Sequence, residues 1–497
     1  MSFTPTEEQQ AIVKAATDTD NNLLVNALAG AAKTSTLVLM AEALKSSSIL
    51  CLAFNKKIQV EMQERLPHNC TAMTLNSYGY RAWSSFLRRR MEVNARKNYF
   101  LVKDYIDGLE EDELKQDLWD QYDDISTIIS GAKTAGFIPD STVAGLGVKF
   151  TPLMDDAEFL DWCDIEMTDE LWDLTVTVLT RNIEQGLTGR IDYDDMIYLS
   201  TLCKSVSFQR WPVIMIDEAQ DLSALNHQML YKMSGGTSRI IAVGDPCQAI
   251  YGFRGAHENS MSLLKEQFDM EEFTLSISFR CPKAVVREAR WRAPNMKWPE
   301  WAIDGKVSDL RKWGAEDIPE QAAVICRNNA PLFGLAMRLL RDGRYPEIQG
   351  DQLSKRMIKV FKSFGGMDMP AENVETSIEL WLEREKEKRK DHEKLYDFAA
   401  CLRIFVEDSA NLGQCIKKIE EVFSKSGPIK LMTGHKSKGL EFTNVFIMDR
   451  GLIRAEKENQ EANLLYVMQT RAMETLTYVD SRDYVAEDIT AVEGSLI

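Results

Sequence analysis

Short apolar strands alternating with helical stretches constrain this chain more than any other feature. Asn22–Asn26 is apolar at its centre and reads as a strand, and Ala27–Thr34 is a loop of small residues. Leu37–Leu44 has helical character, and a second strand, Ser48–Phe54, follows closely. Strand, helix and strand at this spacing predict a parallel crossover, because an antiparallel hairpin would need no helix between its strands. Strand signals return at Trp211–Ile216 and Arg239–Val243, then at Ala322–Cys326 and Val445–Met448. Residues 88–185 are rich in Asp, Glu, Trp and Leu at helical spacing, and residues 346–425 are helical again. At 497 residues the chain exceeds the roughly 100–200 of a typical domain. The predicted class is α/β, with two parallel-sheet cores that each carry an inserted, mainly helical subdomain. The first core takes 1–87 and 186–275, with its insertion at 88–185. The second takes 276–345 and 426–497, with a small insertion at 346–425.

Composition narrows the classes of function. With 44% apolar and 27% charged residues, the chain has the make-up of an ordinary globular protein. No stretch reaches the roughly 20 apolar residues of a membrane span. The first ten residues are polar, unlike a signal peptide, so the expected location is cytoplasmic or nucleoid-associated, with no membrane partner. Nine scattered cysteines without a CxxC pair, and five histidines, argue against a zinc cluster or disulfide framework. The net charge of −17 argues against a generic nucleic-acid coat but leaves room for a local basic groove.

Two motifs carry chemistry. Between the first strand and helix lie Ala27, Leu28, Ala29, Gly30, Ala31, Ala32, Lys33 and Thr34, at the position of a phosphate-binding P-loop. Backbone N–H groups and the helix N-terminus would cradle phosphate there, from Ala29 through Ser35. Lys33 would reach the β- and γ-phosphates, and the Thr34 hydroxyl would bind Mg²⁺. The loop has alanines at Ala27 and Ala32 where glycines are usual, and a left-handed alanine costs about 1–2 kcal/mol. Downstream, the strand ending at Ile216 runs into Asp217 and Glu218. Asp217 would hold Mg²⁺, and Glu218 would orient and deprotonate the attacking water. An acid pair after a strand is common alone, but much rarer downstream of a P-loop.

From Asp217–Asp221 onward the chain resembles the UvrD/Rep-like superfamily 1 DNA helicases, and further motifs follow in the family's order. Thr6–Ile12 resembles the Q motif. Ala53–Lys57 with Glu61 and Met62 resembles motif Ia. Asp192–Met196 matches the acidic motif before Walker B. Gly244–Ala256 is a long match to motif III, and Ser278–Arg280 fits motif IV. Cys326–Ala330, Thr433–Phe442 and Leu464–Ala472 fit motifs IVa, V and VI. Motifs V and VI lean toward the F-box DNA helicase-like group.

The resemblance implies two RecA-like cores with ATP and Mg²⁺ sandwiched between them. It makes Gln9 the adenine reader, Gln248 the γ-phosphate sensor, and Arg280 and Arg471 arginine fingers. Phe279 would stack on adenine, and Glu441 would accept a ribose hydroxyl. It places Phe54, Asn55, Thr74, Ser77, Tyr251, Phe253 and His435 along a single-stranded DNA track, where aromatics stack on bases. The implied activity is ATP-driven translocation and unwinding with 3′-to-5′ polarity, on single-stranded and tailed or forked duplex DNA. A monomer is the minimal unit, and replication, repair and recombination are the fields of use.

The chain departs from the family pattern at Leu28 and Ala32. Ser35 stands where close UvrD relatives have arginine, Asn76 where motif Ib has histidine, and Phe253 where tryptophan is usual. The second insertion is also far smaller than in UvrD or Rep. Two competing functions follow: an ATP-gated DNA-binding or remodelling protein with little processive unwinding, and a small-molecule P-loop kinase. Motif III and the second core oppose the kinase reading.

Overall fold

The computed structural model describes residues 4–45, 47–145, 147–252, 255, 259–348, 351–390 and 392–485. The chain divides into two compact units, with the boundary between Ser276 and Ile277.

The first unit holds β1 (Leu23–Ala27), β2 (Ile49–Ala53), β3 (Cys70–Thr74), β4 (Glu92–Val93), β5 (Arg190–Ile191), β6 (Val213–Ile216), β7 (Arg239–Gly244) and β8 (Glu271–Leu275). Six of them form one parallel sheet in the order β3-β2-β6-β7-β1-β8, and β4 pairs with β5 alone. Side chains alternate across a strand, so each strand of this sheet except the edge strand β8 feeds two cores. Leu23, Val25, Ile49, Cys51, Val213, Met215, Ile241 and Val243 pack on one face with Ile12 and Met40. Leu24, Leu50, Leu52, Ile214, Ile216, Ile240 and Ala242 pack on the other with Trp83 and Leu225. Each large side chain so buried stabilises the fold by about 1.5–3 kcal/mol. This double burial explains why the strands read as continuous apolar runs.

Five helices, Lys97–Asp107, Asp112–Asp120, Tyr122–Ala135, Asp156–Trp162 and Asp169–Leu187, share a separate core that includes Ile106, Ile125, Ile129, Phe159 and Leu174. A buried charge network ties them to the sheet domain. Lys133 is fully buried, and its Nζ lies 2.6 Å from Asp192 Oδ2 and 2.7 Å from Asp195 Oδ1. Lys97 Nζ contacts Asp195 Oδ2 at 2.7 Å and donates to the Asn182 carbonyl at 2.7 Å. The acidic motif at 192–196 thus anchors the helices, with two ammonium groups balancing two carboxylates. Removing one partner of a buried pair strands the other charge in a low-dielectric interior. Lys133→Met is therefore expected to lower stability by about 3–5 kcal/mol, read by urea unfolding of the whole chain. A loss below about 1 kcal/mol would mean that the cluster is not an anchor.

The second unit holds β9 (Lys306–Leu310), β10 (Ala323–Cys326), β11 (Pro346–Ile348), β12 (Ile429–Thr433), β13 (Phe442–Met448) and β14 (Ala472–Val479). These form a second parallel sheet in the order β11-β12-β10-β13-β14-β9. Residues from 346 open with the edge strand β11 before turning helical at Asp351–Phe364, Ala371–Lys386, Glu393–Val406 and Leu412–Ser424. Phe361, Ile378, Phe398, Phe405 and Ile419 of those helices join Val324, Leu431 and Phe446 of the sheet in one core. The α/β class with two parallel-sheet cores, expected from the sequence, is the class observed. No described helix is long and apolar enough to cross a membrane.

Candidate nucleotide site and nucleic-acid interface

In a parallel sheet every strand delivers its following loop to the same edge, and ligands gather at that carboxyl edge. In the first unit the strand order sorts the motifs along it. β3 and β2 deliver Thr74 and Phe54, β6 delivers Asp217, β7 delivers Asp245, and β1 delivers the P-loop. β7 lies between the strands carrying the P-loop and the acid pair.

The P-loop turns through Gly30 at φ 73° and Ala32 at φ 58°, both left-handed. Ala27, the other alanine in a usual glycine place, ends β1. Ala32 caps the helix Lys33–Ala43 without a side-chain hydrogen bond. Glycine at 32 would remove a strain of about 1–2 kcal/mol but add about 0.5–1 kcal/mol of chain entropy cost. Ala32→Gly is expected to raise stability by a net of roughly 0.5–1 kcal/mol in urea titration. A loss of that size would show that the alanine methyl packs favourably.

Lys33 Nζ donates to Glu218 Oε2 at 2.7 Å, and Thr34 Oγ1 donates to Asp217 Oδ2 at 3.4 Å. Burial alone would lower the Lys33 ammonium, but Glu218, Asp217 and Asp245 outweigh it and hold it above its ordinary value. Burial, then the charge of Glu218, push the Asp217 carboxyl up to about 6. One ammonium thus faces three carboxylates, an excess of negative charge that suits a divalent cation. Among the described residues no group of three or more His, Cys, Asp or Glu is placed to hold a metal. Glu218 itself is left-handed, at φ 53°, and its N–H donates to Asp217 Oδ1 at 2.9 Å.

Gln220 and Asp245 received no role from the sequence, yet they complete this cluster. Gln220 Nε2 donates to Glu218 Oε2 at 2.6 Å, and Gln220 Oε1 accepts the Asp245 N–H at 3.0 Å. Gln248 Nε2 donates to Asp245 Oδ2 at 2.6 Å. Gln9 is buried, with both ends of its amide engaged. Its Oε1 accepts the Thr6 N–H at 3.0 Å, and its Nε2 donates to Thr36 Oγ1 at 2.9 Å. It therefore braces the P-loop helix in this structure. Ser35 Oγ accepts from Arg65 Nη2 at 3.0 Å.

On the β2 and β3 side, Phe54 is 45% exposed and lies nearly parallel to Tyr251, with centroids 6.2 Å apart. Asn55 caps the helix Lys56–Arg65 by accepting the Ile58 N–H at 2.9 Å. Thr74 caps the helix Leu75–Leu87, accepting the Ser77 N–H at 3.1 Å and donating to Ser77 Oγ at 2.9 Å. Tyr193, not foreseen, is 58% exposed beside them, its carbonyl accepting from Asn76 Nδ2 at 2.8 Å. Its signal was an aromatic inside an otherwise acidic motif. Phe253 lies outside the described residues.

The second unit separates its motifs by sheet edge. Arg327 and His435 follow the carboxyl ends of β10 and β12. Glu441 and Arg471 precede the amino ends of the paired strands β13 and β14, where the Phe442 N–H donates to the Arg471 carbonyl at 3.0 Å. Arg280 forms an ion pair with Glu441. Its Nε is buried without a hydrogen-bond acceptor. Arg471 is 1% exposed and donates to the Val467 carbonyl at 2.9 Å, the Leu440 carbonyl at 3.2 Å and Thr470 Oγ1 at 3.1 Å. Burial, reinforced by the nearby Arg280 charge, lowers its guanidinium to about 10. Phe279 stacks on Trp301, with centroids 6.3 Å apart.

A strand–P-loop–helix unit facing an acid pair at one sheet edge defines a P-loop nucleotide-binding core. The chain belongs to the UvrD/Rep helicase family. The model of the UvrD/REP helicase N-terminal domain matches residues 6–269, over half of the chain, and that of the UvrD-like helicase C-terminal domain matches 428–479. The chain is 24% identical to F-box DNA helicase protein 1 of Schizosaccharomyces pombe, covering 96% of this chain and 57% of that protein. It is 24% identical to F-box DNA helicase 1 of Gallus gallus, over 97% of this chain and 49% of that one. A probable DNA helicase II homolog of Mycoplasma pneumoniae is 24% identical over 49% of this chain and 35% of its own length. The chain thus spans about half the length of the F-box relatives it matches.

Proposed function

We propose that this chain is an ATP-dependent single-stranded DNA translocase and DNA helicase with 3′-to-5′ polarity, acting on tailed or forked duplexes as a minimal monomer. One observation carries the reading. A Lys33–Glu218 ion pair beside a Thr34–Asp217 contact shares a sheet edge with the exposed Phe54 ring and the half-buried Tyr251 ring stacked on it. That shared edge supports a reading in which nucleotide chemistry and base stacking act through one sheet. Thr34 and Asp217 would hold Mg²⁺, which when bound neutralises phosphate charge. Lys33 exchanges Glu218 for phosphate oxygens when nucleotide arrives, which releases the carboxylate to orient and deprotonate water. The resemblance assigns Arg280, Arg471 and Gln248 to the γ-phosphate, and Phe279, Glu441 and Gln9 to the nucleoside. For Gln9 this requires its amide to leave Thr6 or Thr36. Asn55, Thr74, Ser77, Phe253 and His435 belong to the strand track with Phe54 and Tyr251. The cytoplasm or nucleoid is the compartment that fits this work.

Stacking contributes about 1–3 kcal/mol per base. Phe54→Ala with Tyr251→Ala is therefore expected to weaken oligo-dT binding by roughly 10-fold or more in anisotropy titration. Unwinding of 3′- and 5′-tailed duplexes tests the activity itself. Displacement from the 3′-tailed duplex alone is expected. Strand-stimulated hydrolysis with no displacement from either would reduce the protein to a translocase.

A further inference from the structure

Glu218 and the motif III loop are joined through one buried side chain. Gln220 is 1% exposed and Asp245 is fully buried. The Glu218 carboxylate needs a donor and the Asp245 N–H needs an acceptor. Among neutral side chains, an amide can meet both at once, with its NH₂ and its C=O. Gln220 does so, at 2.6 Å and 3.0 Å. Its Nε2 meets the same Oε2 that Lys33 reaches at 2.7 Å, so two donors fix that oxygen. On the other side, Asp245 sets the start of motif III. Its carboxylate accepts the Cys247 N–H at 3.0 Å and the Gln248 amide at 2.6 Å. A few residues on, Tyr251 lies over Phe54. The backbone is shaped for this contact. A Cβ at Gly244 would stand 2.5 Å from Gln220 Oε1 and 2.8 Å from Met261 Sδ, so β7 ends in the one residue that admits the amide.

We propose that Gln220 is a positioning residue that transmits the state of the motif III loop, and so the occupancy of the Phe54–Tyr251 platform, to the carboxylate of Glu218. The inference rests on the proposed strand-stimulated ATPase. A shift of the Asp245 backbone moves the acceptor end of the amide. The donor end then turns the Glu218 carboxylate toward or away from the attacking water.

The test is steady-state phosphate release with and without oligo-dT, in the full chain. Gln220→Met removes both hydrogen bonds. Gln220→Glu keeps an acceptor for the Asp245 N–H but sets a carboxylate against Glu218. Gly244→Ala crowds the Gln220 amide while leaving Gln220 and Glu218 chemically unchanged. The readout is the ratio of stimulated to basal turnover, which a loss of packing alone does not change. All three variants are expected to lower that ratio at least tenfold, with far-ultraviolet circular dichroism unchanged. If Gln220→Met scales both rates equally, or leaves the ratio at the wild-type value, the relay is overturned while the motor reading stands. If wild type itself shows no strand stimulation, the motor reading fails and the relay fails with it. Should Gln220→Met not fold, Gly244→Ala and Gln220→Glu decide by the same ratio.

Discussion

Glu218→Gln is expected to lower strand-stimulated ATP turnover by at least about 10²-fold, since a positioned general base contributes about 10²–10⁴-fold. The substitution keeps the shape of the side chain but replaces a proton acceptor with an amide. Lys33 would still face the carboxylates of Asp217 and Asp245, so the phosphate-binding ammonium keeps its charge partners. Nucleotide affinity should therefore change little, and the loss should fall on kcat. Pre-steady-state phosphate release with oligo-dT, beside binding of a fluorescent ATP analogue, separates the two. A change in kcat below threefold would remove Glu218 from the role of base.

Arg280→Ala is the second large effect, with an expected loss of about 10³–10⁵ in kcat, the range of an arginine finger. Its guanidinium is paired with Glu441, and its Nε is buried without an acceptor. A buried donor left unmatched costs about 1–3 kcal/mol, a penalty that an arriving phosphate oxygen would relieve. Glu441 is 43% exposed, so losing its partner leaves a hydrated carboxylate and a folded protein. Arg280→Lys should recover only a small part of the rate, because an ammonium lacks the planar fork. Arg471 behaves differently. Its guanidinium donates to two backbone carbonyls and a hydroxyl inside the second unit, so Arg471→Ala should lose stability and turnover together. A kcat for Arg280→Ala within tenfold of wild type would take Arg280 out of the transition state.

The sheets were legible in the sequence because burial on both faces turns a parallel strand into a short apolar run. Val213–Ile216 and Arg239–Gly244 lie almost where their apolar runs place them. β13 starts earlier than its apolar signal, at Phe442, because Thr443 and Asn444 hide its first turn of pairing. The left-handed turn at Ala32 was also foreseeable, since the P-loop needs that geometry whichever residue supplies it. Tertiary pairings were not legible. The Gln220 contact depends on β6 and β7 being neighbours, and strand order is not written in local periodicity. Lys133 meets Asp192 and Asp195 across some sixty residues, and a lysine in a helix reads locally as a solvated charge. The contact of Arg471 with the Leu440 carbonyl, and that of Gln9 with Thr36, likewise depend on partners that only the folded chain brings close.

In the proposed motor the Lys33–Glu218 edge hydrolyses ATP in response to the strand held nearby. Phosphate release by wild type and Lys33→Ala, each with and without oligo-dT, tests it most directly. Release that rises at least tenfold with DNA in wild type, and stays at background in Lys33→Ala, is the predicted result. Equal release from the two proteins, with DNA present or absent, would contradict it.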